Sequence, residues 1–424
     1  MKKLNQVNKK QKGAALIIFA VILVLAATTY LVSQLDGSGV KIERDKKTAV
    51  ALARAKQALI GWSISRGVVG SARPGELPCP DIDAPDTAGY GEEEGSCEAG
   101  KVGRLPWKTL GIEEITDGYG EPLWYSIDGA FRKRFGSTAS TNQPINSDTR
   151  ATTKIYAADG STLVTGAGLE AAAVMLASGQ LLNGQSRSLT NITFCPPTGS
   201  SIAENRCASN YLDLQNGRNN ATNTGPFIRG SKSDTFNDQL IYISAFELMK
   251  MTEKRVGREL KTILQNYYSA HGDYPYPAKF NDAGCLDEGN TGYFTDCQSD
   301  VNVCRGRFPD KALPVDWGGA SLLPGWFSFN MWGQTIYYSV GTNKLATAPL
   351  GCSPQLAVDA TNQNGIFILS GSPLGATVRN SPSESLNLSI YLEDLENQDG
   401  WSVVANNIYV TPSVASNDSL FILP

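Results

Sequence analysis

The chain has 424 residues, 37 of them Lys or Arg and 41 Asp or Glu, giving a net charge of -4 with only 18% charged residues. That balance excludes an electrostatic nucleic-acid binder. A single His, and eight Cys with no Cys-x-x-Cys pair, exclude the usual zinc ligand sets, while 42 Gly and 21 Pro describe a turn-rich chain.

The chain opens with a lysine cluster (Lys2, Lys3, Lys9, Lys10, Lys12), then runs without a charge from Ala14 to Val32. As a helix this stretch would span about 28 Å, close to the hydrocarbon thickness of a bilayer. The pattern predicts a basic leader over 1–13 and a transmembrane helix over 14–35. The lysines place the N-terminus in the cytoplasm and the bulk of the chain, beyond Val32, on the far side of the membrane. The apolar run exceeds the roughly 7–15 residues of a secretory signal core, so it is expected to be retained. "DGSG" at 36–39 predicts a hinge before the next helix.

Beyond it, segments recur in order. "LPCP" (77–80) returns as "YPYP" (274–277), "GRLP" (103–106) as "GRFP" (306–309), and "YGEPLWYSI" (119–127) as "WGQTIYYSV" (332–340). "VMLASG" (174–179) pairs with "IFILSG" (366–371), "YLDLQN" with "YLEDLEN", and "NDQLIYIS" (237–244) with "NDSLFILP" (417–424). This internal duplication predicts two tandem units, 40–245 and 246–424. Each starts with an amphipathic helix, over 40–66 (Leu52, Ala55, Leu59, Trp62) and 246–271 (Val256, Leu260, Ile263, Leu264, Tyr267), and continues as an antiparallel sheet. The fold class is α+β. Trp124, Tyr125, Tyr337 and Tyr338 are expected to pack against the helices.

In an oxidising compartment the cysteines read as disulfides. Cys79 with Cys97 and Cys195 with Cys207 are the near pairs; Cys285, Cys297, Cys304 and Cys352 leave three pairings open. The acidic loop "CPDIDAPDTAGYGEEEGSC" places Asp81, Asp83 and Glu92 at positions one, three and twelve of a calcium-type loop, with Asp86 at six. Pro85 and Asp86 depart from that pattern, Asp86 standing where Gly is needed. Calcium is the one cofactor the chain suggests. His271, beside Gly272 at a helix end, reads as a capping side chain, and no "GxxxxGK" loop occurs, so no enzyme is expected.

The leader ending in Gly13, the charge-free helix behind it, "LKTILQNYYSAHGDYPYP" and the aromatic-Gly turns together resemble type IV pilins and type II secretion pseudopilins. The resemblance covers the first 35 residues and the start of each unit. It implies cleavage after Gly13 by a prepilin peptidase, methylation at Ala14, insertion in the bacterial inner membrane with the bulk of the chain in the periplasm, and later packing of the apolar helix against other pilin or pseudopilin subunits. Family members usually carry Phe or Met at the first mature position and Glu at the fifth, where this chain has Ala14 and Ile18. The large minor pseudopilin at the tip of type II secretion filaments similarly lacks that Glu. With two lobes in place of one, the resemblance implies a minor or tip subunit acting in assembly or initiation. The alternative is a membrane-anchored periplasmic binding or adhesion protein that presents loops such as "NGRNNATNTG".

Overall fold

The computed structural model describes residues 14–67, 72–83, 85, 87–95, 102–132, 144–195, 200–222, 225–285, 297–318, 322–374, 379, 382–399 and 406–424, with side chains of the first helix at 23–25 and from 39 onward. Two long helices, α1 (Ala14–Ser65) and α2 (Ala245–His271), accompany two four-stranded antiparallel sheets. The first sheet is built from β1 (Val102–Arg104), β2 (Trp124–Ile127), β3 (Ala171–Ala177) and β4 (Gln239–Ser244), in that order. The second is built from β5 (Arg305–Arg307), β6 (Ile336–Val340), β7 (Gly365–Leu369) and β8 (Ser419–Leu423), again in chain order.

Register matches residue for residue. One row across the first sheet is Arg104, Trp124, Leu176, Leu240; its counterpart is Arg307, Tyr337, Ile368, Leu420. The repeated Gly-Arg has a physical cause. A Cβ on Gly103 would stand 2.5 Å from the Asp81 carbonyl oxygen, and one on Gly306 1.8 Å from that of Ala278. The missing side chain lets the preceding segment lie flat on the strand, where Asp81 and Arg104 exchange backbone hydrogen bonds, as do Ala278 and Arg307. Each arginine then covers an aromatic ring, Arg104 over Trp124 at 5.3 Å and Arg307 over Tyr337 at 5.6 Å. Tyr125 donates to the Pro78 carbonyl (3.2 Å) and Tyr338 to that of Pro275 (3.0 Å).

The two sheets do not enclose separate cores. Leu52, Ala55 and Leu59 of α1, Leu248, Val256, Leu260 and Leu264 of α2, Tyr125 and Met175 of the first sheet, and Tyr338 and Phe367 of the second all belong to one apolar cluster. The alternate residues point the other way. Trp124, Val174 and Leu176 meet Tyr211, Leu212 and Phe227, and Tyr337, Ile366 and Ile368 meet Tyr391, Leu392 and Tyr409. Central strands are therefore buried on both faces, which explains apolar runs such as Ala171–Ala177.

α2 starts where β4 ends. The Ser244 hydroxyl accepts the Glu247 N–H (3.1 Å), and Gly272, at φ 83°, closes the helix in the left-handed region. The expected α+β class with a separate transmembrane helix over 14–35 is corrected. Among the described residues no helix is long and apolar enough to cross a membrane. Residues 14–65 instead form one 52-residue helix, about 78 Å long. The expected hinge at 36–39 is absent as well. Two helical glycines cost about 1 kcal/mol each, which cooperative propagation from both flanks offsets. The helix joins the body at Thr48, the first of its described side chains to be buried. There Thr48 Oγ1 accepts the Gly118 N–H (3.0 Å), and a Cβ on Gly118 would lie 2.1 Å from the Arg44 carbonyl oxygen.

Candidate functional site

Two regions carry the residues singled out by sequence. The first is the acidic loop ahead of β1. Asp81 is fully buried because its backbone bridges to Arg104. Its Oδ1 accepts the Asp83 N–H (2.8 Å) and its Oδ2 the Gly91 N–H (2.7 Å). Burial pushes the Asp81 carboxyl up to about 6, against those two hydrogen bonds and the Arg104 guanidinium, which pull it down.

Carboxylate oxygens of Asp81, Asp83 and Glu94 all lie within 4.8 Å of one another. Glu92 is exposed and stands outside this group, and Asp86 lies outside the described residues. Glu94 was missed because the loop departs from the twelve-residue spacing: Glu93 turns inward to accept the Cys79 N–H (3.3 Å), and Glu94 follows it to accept from Ile82 (3.4 Å). An all-oxygen set suits calcium rather than zinc and offers three of the roughly six to eight oxygens that calcium takes. Arg104 supplies a resident cation to the same loop, donating to the Asp83 carbonyl (2.9 Å).

The second region is the exposed part of α1. Leu23, Val24 and Leu25 are 57%, 62% and 58% exposed, and Val40 and Ile42 are exposed as well. Ala14 is the first residue of α1; Gly13 lies outside the described residues. An open groove of about 650 Å³ flanks the place where the helix reaches the body, lined by Val40, Lys41 and Arg44 of α1 and by Lys232, Asn237 and Gln239 across from them. Lys232 pairs with Asp45 (2.5 Å), and Arg44 lies over Tyr119 at 4.9 Å.

Disulfides join Cys195 to Cys207, Cys285 to Cys297 and Cys304 to Cys352. That selects one of the three pairings open in the second unit. Cys79 is disulfide-bonded, while Cys97 lies outside the described residues. His271 is exposed at the end of α2 with its ring on Tyr267, 4.5 Å between centroids. In "NGRNNATNTG", Asn220 is fully buried: its amide bridges the Ile228 backbone and the Asp238 carboxyl. Comparison with models of known protein families, with characterised proteins and with solved structures finds no match.

Proposed function

We propose that the chain is a non-enzymatic, pilin-like subunit of the minor or tip kind, acting in assembly or initiation of a type IV pilus or type II secretion pseudopilus. The observation that carries this reading is α1. Among the described side chains of this 52-residue helix, burial begins at Thr48, and the apolar Leu23, Val40 and Ile42 ahead of it are exposed. Such a surface is costly in water at about 25 cal/mol per Å² and is relieved by packing against similar helices. Disulfides support residence in an oxidising compartment of the envelope. The absence of an acid at Ile18 supports a position with no subunit beyond it, where no neighbouring ammonium is available to neutralise a buried carboxylate.

The partners in this reading are a prepilin peptidase, which cuts after Gly13, and other pilin or pseudopilin subunits. Intact-mass measurement of the protein from native envelopes tests the first, and its recovery with sheared filaments tests the second. A chain starting at Ala14 that co-purifies with filaments is expected; a chain retaining Lys2 and Lys3 and absent from filaments would overturn the proposal.

A further inference from the structure

Both units carry the same pair of carboxyl groups in the same place. In the first, the Asp213 N–H donates to Asp238 Oδ2 (2.8 Å) and the Asn237 N–H to Asp213 Oδ2 (2.8 Å). In the second, the Glu393 N–H donates to Asp418 Oδ2 (3.1 Å) and the Asn417 N–H to Glu393 Oε2 (3.3 Å). Each exchange ties the Asn-Asp that enters the last strand, β4 or β8, to a Tyr-Leu-acid segment. The tyrosine of that segment, Tyr211 or Tyr391, fills the outer core of the unit.

Asp213, Asp238 and Asp418 are buried and Glu393 half-buried. Two carboxylates in mutual contact under such burial cannot both ionise cheaply; one shared proton turns one into a donor and the other into an acceptor. Asp238 Oδ1 receives no hydrogen bond from any described N–H or O–H group, and the Asp238 carboxyl lies against that of Asp213.

We propose that these pairs are twin proton-held latches, in which a shared proton fastens the last strand of each unit to the preceding segment and its loss at alkaline pH releases both. The inference is independent of the assembly reading.

The surroundings favour the proton. Arg187 faces the first pair but is bound to Glu121 (2.7 Å), and the remaining contacts are the amides of Gln185 and Asn220. Asp418 also accepts the Gly371 N–H (3.2 Å) and faces Glu253 of α2 and Tyr337, two groups on which Asp148 of the 144–150 segment and Arg379 act in turn. Arg379 is held by Asp148 (2.9 Å). Burial, reinforced by Glu393, pushes Asp418 up to about 8; burial, with smaller pushes from Asp418 and Asp148, raises Glu253 to about 8 against Ser147 and Arg379. Burial raises Asp213 and lifts Asp238 well above the usual carboxylate range, with Asp213 adding to the latter. The folded chain therefore keeps protons that the unfolded chain releases near pH 4. Their contribution is complete below that pH and is lost as pH rises through about 8.

Glu393→Gln is the decisive variant. Its carbonyl can keep accepting from Asn417 and Ser416, while its amide N–H replaces the shared proton permanently. Hydrogen exchange at residues 391–393 and 417–418 in the intact wild-type protein is expected to lose about tenfold protection between pH 6 and 9, beyond the intrinsic rate change. In Glu393→Gln that loss should vanish in the second unit and persist at 211–213 and 237–238. An equal loss in the variant, or none in wild type, overturns the proposal. Carboxyl ¹³C titration of aspartate-labelled wild type is a check that needs no variant: one aspartate titrating near pH 8 and a second well above the usual carboxylate range are expected, and no aspartate titrating near pH 8 overturns it.

Discussion

α1 and α2 open equivalent units, yet they are buried differently. The buried side chains described for α1, among them Ala51, Leu52, Ala55 and Leu59, form one stripe, whereas α2 buries Leu248, Met249, Thr252, Glu253, Val256, Gly257, Leu260, Ile263, Leu264 and Tyr267. α2 touches the last strand of each sheet, β4 and β8, as well as α1. Two sheets of matching register thus surround one core, with α2 serving both. The expected consequence is a single unfolding transition rather than two.

The strongest way to break that unity is to loosen the second unit alone. Replacing both Cys304 and Cys352 by Ala reopens a loop of 48 residues and is expected to cost about 4 kcal/mol in unfolded-state entropy. Opening Cys195–Cys207, with a separation of 12, costs about 3 kcal/mol. With one core, far-UV circular dichroism and tryptophan fluorescence should still report coincident denaturant transitions in the first variant; a biphasic curve would show independent units. Leu260→Ala, at a fully buried position of α2, follows with a loss of about 3 kcal/mol and the same coincidence of probes.

A smaller effect sharpens one place where the repeat diverges. Asp81 and Ala278 occupy the same position ahead of β1 and β5, but only the acid accepts N–H groups, from Asp83 and Gly91. Asp81→Ala orphans both donors, and a loss of about 2 kcal/mol in urea titrations is expected. The wild-type group adds a pH dependence of its own. Its pKa is raised to about 6, so the protonated form is favoured by folding, and the associated stability is lost as pH rises through about 6. Asp81→Asn should flatten the melting-temperature profile between pH 5 and 7, because the amide does not titrate.

Much of the sheet architecture was legible because the repeated strings coincide with positions that close packing constrains: Gly103 and Gly306 under a crossing backbone, Tyr125 and Tyr338 bonded to Pro78 and Pro275. The end of α2 was legible too, since Gly272 is the left-handed residue that stops it. The shared core was not, because a helical stripe states that a face is buried without naming its partner. The break expected at 36–39 failed because glycine propensity is a local term and helix propagation is cooperative. The carboxyl pairs lay unread in "YLDLQN" and "NDQLIYIS", as Asp213 and Asp238 approach only after intervening loops fold back. Glu94 was missed for a related reason: the loop's hydrogen bonds to Cys79 and Ile82, not its spacing, decide which acid meets Asp81.

The smallest expected effect separates the two helices through one glycine in each. Gly61 of α1 has open space where a Cβ would stand, with nothing within 4 Å, whereas a Cβ on Gly257 of α2 would lie 2.2 Å from the Phe421 ring. That ring is stacked on Phe367 at 4.9 Å with planes 4° apart, so it cannot retreat without disturbing β7 and β8. Gly61→Ala removes backbone entropy from the unfolded chain at no steric cost and should stabilise by about 0.5–1 kcal/mol. Gly257→Ala gains the same helix propensity but overpacks a contact between helix and sheet, for a net loss of about 1 kcal/mol. Thermal melts of the two variants should therefore shift in opposite directions. A parallel upward shift would mean that α2 sits no more tightly than α1, and the picture of one helix shared by both sheets would fail with it.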